Sequence, residues 1–98
     1  MTTQQQQLIG VLASKGIRAK FNGDFLNCHV DVASGKKNKR QKFAFVFDSP
    51  AECDGARLLP ASCRGAYSEE YAKIAFREIL RAGGGDAEVA KFDAEATN

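Results

Sequence analysis

No apolar run in this chain approaches the ~20 residues that a membrane-crossing helix needs. The first segment, Met1 to Gln7, is polar and uncharged and so does not read as a secretory signal. The expected compartment is the cytoplasm, with no membrane partner. Cysteine is sparse and odd in number, at Cys28, Cys53 and Cys63. That count, with no secretory leader, points to reduced thiols and not to a disulfide frame. There is no C-x-x-C pair. Cys28 and His29 are neighbours on a strand and face opposite ways, which argues against a zinc set with Cys53 and Cys63.

Histidine is the scarcest chemical resource. His29 is the sole one in 98 residues. A catalytic histidine needs a nucleophile or a metal within hydrogen-bond reach, and usually an orienting carboxylate. The expected neighbours of His29 are Asp31, Arg18 and Lys20, with Val46 across, and no serine or cysteine is placed on that face. The simpler reading is an exposed strand histidine. Carboxylates are scattered. Gly83-Gly84-Gly85 follows a helix instead of opening one, so it is no phosphate loop. We therefore expect no enzyme, no catalytic residues, no metal and no cofactor.

What the chain does have is hydrophobic pattern. At 44% hydrophobic and 27% charged it is globular in class. Residues 1–85 read as a single compact α+β domain, and 86–98 as a short docked helix or an acidic tail anchored only by Val89 and Phe92. Thr3 and Gln6 have capping-box spacing, and Leu8, Ile9, Val11 and Leu12 form the apolar stripe of a first helix that Gly16 ends. Asn22-Gly23 is a hairpin turn signal. It pairs Phe21 with Asp24, Ala19 with Leu26 and Ile17 with Cys28. Ile17, Ala19, Phe21, Leu26, Cys28, Val30 and Val32 then share one face, with Arg18, Lys20, Asn27, His29 and Asp31 on the other. A third strand runs from Lys42 to Phe47, with Phe43, Phe45 and Phe47 inward.

The stretch from Asp48 to Ala66 reads as a loop holding a short helix opened by Ser49-Pro50-Ala51-Glu52 and limited by Pro60. The last helix spans about Glu69 to Ala82, with Ser68 as its cap and Glu69 and Glu70 facing the dipole. The expected architecture is thus a three-stranded antiparallel meander with helices packed on one face, in the order α-β-β-β-α(short)-α(-α). The third strand is a possible edge, so the expected state is a monomer or a homodimer paired through that edge.

Charge is uneven along the chain. Residues 1–42 carry eight basic and two acidic side chains, a net of +6, whereas 43–98 carry six basic and ten acidic, a net of −4. The basic excess peaks in the connection between the second and third strands, at Lys36, Lys37, Lys39, Arg40 and Lys42. Lysine there can simply keep a strand edge soluble. Five bases without an acid exceed that need and suit anion capture. Arg18 and Lys20 extend the patch over the polar face, where Phe25 adds an aromatic surface.

The helix–three strands–helix order over roughly residues 4–82 resembles the double-stranded RNA-binding domain in element order. That resemblance implies a last helix opening on phosphate-gripping lysines. Here the start reads Ser68-Glu69-Glu70-Tyr71-Ala72-Lys73, and the first strand–strand loop is a tight Asn22-Gly23 instead of a long one, so RNA binding of that kind is not carried over. The expectation is a small non-catalytic binding protein. Its basic hairpin tip would engage nucleic acid or a nucleic-acid-associated complex through Arg18, Lys20, Lys36, Lys37, Lys39, Arg40 and Lys42. The alternative is a protein-binding inhibitor or adaptor, of phage or mobile-element type, that meets an acidic protein surface on a host protein.

Overall fold

A computed structural model describes residues 1–34, 37–65 and 67–84, and for 32–34 and 37–39 the backbone alone. Helix α1 covers Thr3–Ser14, strands β1 to β3 cover Arg18–Asn22, Phe25–Ser34 and Lys37–Val46, a single 3-10 turn covers Pro50–Glu52, β4 covers Arg57–Arg64 and helix α2 covers Ser68–Gly84. The strands form one antiparallel sheet in the order β1-β2-β3-β4. The α+β class stands. The expected three strands are corrected to four, and β1 and β4, not the third strand, are the edges. With a fourth strand, the element order also departs from the double-stranded RNA-binding domain. The expected segment 86–98 lies outside the described residues.

Both helices lie on one face of the sheet. Their apolar sides, with Leu8, Leu12, Ala72, Ala75 and Ile79, close over Leu26, Cys28, Val30, Phe43, Phe45 and Phe47 in one buried cluster. The alanines of α2 let it approach closely, and Phe76 reaches the ring of Phe45 at 5.6 Å between centroids. Alternation along β2 and β3 therefore buries one face and leaves the other open.

Local corrections follow from hydrogen-bond geometry. Helix α1 is capped one residue earlier than expected. Thr2 accepts from the Gln5 amide and Gln5 returns the bond to Thr2, a complete capping box. The same two residues anchor the 3-10 turn. Thr2 Oγ1 donates to the Ala51 carbonyl at 2.7 Å and Gln5 Nε2 to the Pro50 carbonyl at 3.0 Å. The first hairpin turns at Gly23-Asp24, with Gly23 at φ +61, which is the first-position glycine of a type II′ turn. Phe21 then faces Leu26 and Ala19 faces Cys28. That register is two residues from the expected one, and a slip of two leaves every side chain on its expected face. Ser68, expected as the cap of α2, is instead its first residue. Its hydroxyl donates back to the Gly65 carbonyl at 3.1 Å.

The fourth strand is irregular, which is why its sequence hides it. Between Lys42↔Arg64 and Ala44↔Leu59, β3 advances two residues while β4 advances five. Pro60 has no N–H for a ladder and sits in this bulge on an edge strand, where it is tolerated. Ser62 repairs the ladder with its side chain. Its Oγ accepts from the Ala44 amide at 2.7 Å and donates to the Leu59 carbonyl. At the strand's end Gly65 has φ +104, and a Cβ there would collide with the side-chain amide of Gln41. Gln41 is buried, and its Oε1 accepts from the Tyr67 amide at 2.8 Å, tying β3 to the start of α2.

This geometry predicts opposite signs for similar changes. Ser62→Ala leaves the buried Ala44 amide without its partner and should cost about 1–3 kcal/mol in urea unfolding. Gly65→Ala should cost about 1–3 kcal/mol through backbone strain alone, with the Gln41 collision added. Gly10→Ala, in α1 with nothing within 4 Å of the added carbon, should stabilise by up to about 1 kcal/mol. A Ser62→Ala midpoint equal to that of the parent protein would show that the hydroxyl is not part of the ladder.

Candidate functional site

The open face of the sheet carries the polar chemistry. Register places Arg18, His29, Lys42 and Arg64 directly opposite one another in turn, one from each strand. They form a row across the whole sheet, about 14 Å long at the usual strand spacing. No carboxylate stands in it. Lys42 and Arg64 are like charges in a direct cross-strand pair, an arrangement that destabilises a sheet unless an anion neutralises it. Arg18, Lys42 and Arg64 are exposed and His29 is half-buried. Alongside, Lys20 faces Asn27 and Asn27 faces Ala44, which keeps the adjacent row neutral or basic.

Above the row the sheet narrows to two strands. Pairing of β1 with β2 ends at Arg18↔His29, and that of β3 with β4 ends at Lys42↔Arg64. β2 and β3 continue together through five further pairs, from Val30↔Gln41 to Ser34↔Lys37. The result is a ribbon about 15 Å long at the ordinary rise per residue. At its root Arg40 Nε meets Asp31 Oδ1 at 3.4 Å, an exposed pair that counts little for stability.

Of the residues expected to bind, Arg18, Lys20, Arg40 and Lys42 are brought together on the open face and the ribbon root. Lys37 and Lys39 belong to the backbone of the ribbon, opposite Ser34 and Val32. Lys36 lies outside the described residues. His29 faces Lys42 and Arg18 rather than Val46. Arg64 and Asn27 were missed as site residues. Arg64 escaped because the bulge breaks the alternation that would reveal β4. Arg57, also on β4, is tied to Asp48 at 3.2 Å. Phe25 is exposed on this face, opposite Val46 and away from the ribbon.

The three thiols are held toward their neutral form. Burial pushes Cys28 from the ordinary 9.0 up to about 12. Cys53 is also raised by burial, and Cys63 by burial and then by the charge of Glu69, against a lowering hydrogen bond from Ser68. Among the described residues, no three His, Cys, Asp or Glu side chains are grouped to hold a metal ion, and no helix is long and apolar enough to cross a membrane. Comparison with protein-family models, with curated proteins and with solved structures finds no match to this chain.

The Cys28 shift has a pH consequence. The unfolded thiol ionises from about pH 9 while the folded one stays neutral, so ionisation favours unfolding. The contribution is complete below pH 9 and is lost between there and about pH 12. Relative to Cys28→Ala, the parent protein should lose up to about 1.4 kcal/mol more stability per pH unit in that range. Parallel stability curves for the two proteins from pH 8 to 11 would contradict it.

Proposed function

We propose that this protein binds nucleic acid, using the basic β2–β3 ribbon together with the open face of the sheet. The observation that carries the reading is the acid-free row Arg18–His29–Lys42–Arg64 crossing the sheet at the root of the ribbon. A regularly spaced line of cationic and donor groups suits the repeating phosphates of a polynucleotide, whose binding gains from counterion release. The ribbon adds shape to charge. A two-stranded antiparallel ribbon fits the duplex major groove, which is about 12 Å wide. Strand β3 carries Lys37, Lys39 and Arg40 along the ribbon, with Arg40 at its root. The role is binding without catalysis, in keeping with the poverty of nucleophiles and paired carboxylates.

Fluorescence anisotropy with a labelled 20-base-pair DNA duplex at low salt tests this. The parent protein should bind. Replacing Lys36, Lys37, Lys39 and Arg40 by Ala should weaken binding at least about a hundredfold, since removing each charge-assisted bond to a phosphate costs about 1 kcal/mol or more. The melting temperature should hold steady. Unlabelled duplex should compete efficiently and poly-glutamate poorly. Equal affinity of the neutralised protein would remove the ribbon from the account. Preferential competition by poly-glutamate would point instead to an acidic protein surface.

A further inference from the structure

The row is not flat. Between β2, β3 and the bulge of β4 the open face is hollowed into a concavity of about 410 Å3, whose rim and floor include Asn27, His29, Arg40, Lys42, Ser62 and Arg64. The bulge of β4 borders it, where β4 takes three more residues than β3 between Leu59 and Arg64. Among the described residues, no carboxylate lines the hollow. Asp31, an acid outside the lining, engages Arg40 through Nε alone at 3.4 Å, one of the guanidinium's five donors. The Ser62 hydroxyl hydrogen is committed to the Leu59 carbonyl, so Ser62 shapes the hollow and does not serve as its donor. The remaining polar lining groups are donors from three strands: Asn27 and His29 on β2, Arg40 and Lys42 on β3, and Arg64 on β4.

We propose that this hollow is a subsite for one phosphate group of a nucleotide, held chiefly by Lys42 and Arg64. A planar carboxylate presents two oxygens, whereas a phosphate ester presents oxygens in several directions and can meet donors from three strands at once. Arg64 and Arg40 can each fork onto two oxygens, with Lys42 as a point charge between them. The hollow lies within the range of small-molecule sites, about 300–1,000 Å3, and exceeds what a bare oxyanion fills. The surplus accommodates the sugar, with the Asn27 amide able to bond it or the base edge. The phosphate chemistry stands on the hollow itself. Only the source of the phosphate rests on the nucleic-acid reading.

Amide NMR titrations at constant ionic strength test the subsite, with inorganic phosphate, thymidine 5′-monophosphate and a ten-nucleotide DNA as separate probes. All three should shift the Asn27, His29, Ala44 and Ser62 amides saturably, the monophosphate more tightly than phosphate. Arg64→Gln should weaken each by about fivefold or more, the effect expected for losing a charge-assisted hydrogen bond. Lys73→Gln, on α2, should leave them unchanged. Shifts that never saturate, that spread equally to Arg57 and Lys73, or that ignore Arg64→Gln overturn the subsite. Saturable phosphate binding without oligonucleotide binding keeps the subsite and removes the nucleic-acid reading. Oligonucleotide binding that leaves the four pocket amides unmoved does the reverse. Monophosphate no tighter than phosphate removes the place assigned to the sugar.

Discussion

The ten-pair antiparallel ladder between β2 and β3 is the interaction on which the rest of this molecule depends. Its lower half is the centre of the sheet, where Leu26, Cys28, Phe43 and Phe45 present one apolar face to both helices. Its upper half outruns both neighbouring strands. One ladder thus fixes the core and the projecting ribbon in a common register. A slip of a single residue would turn Phe43 and Phe45 to solvent and Lys42 and Ala44 to the core, so the buried phenylalanines enforce the placement of the cations on the other side. The position of the site is in this sense a consequence of the core.

The open face is arranged against its own stability. Cross-strand neighbours of opposite sign would stabilise the sheet, yet Lys42 stands between His29 and Arg64. Elsewhere the protein does pair its charges. Glu78, almost fully buried on α2, is met by Lys15 at 3.7 Å and Arg81 at 3.5 Å, and Arg57 is met by Asp48. Among the described residues the open face has one ion pair of its own, Arg40 with Asp31, while the row beside it sets Lys42 against Arg64 with no acid between them, an arrangement that an external anion would relieve.

Much of this was legible in the sequence, and the failures have physical causes. Strict alternation in β2 and in Phe43, Phe45 and Phe47 gave the faces correctly, because period two survives a register change of two. The turn itself was misplaced by one residue because Gly23 serves equally well in a type I′ or a type II′ turn. The fourth strand was invisible. Pro60 was read only as the limit of a short helix, and the bulge destroyed the alternation between Leu58 and Cys63. With β4 went Arg64, so the candidate site was seen as a hairpin tip and not as a row across four strands. No local pattern in the sequence announces that a serine hydroxyl, Ser62, will stand in for a ladder partner.

The central claim is that the basic ribbon and the row at its root act together on phosphates, and the salt dependence of duplex binding tests it most directly. Six cations, Lys36, Lys37, Lys39, Arg40, Lys42 and Arg64, engaged with a duplex predict that the logarithm of the binding constant falls against the logarithm of salt with a slope of about −5. A slope near zero, or no binding at low salt, would contradict the account.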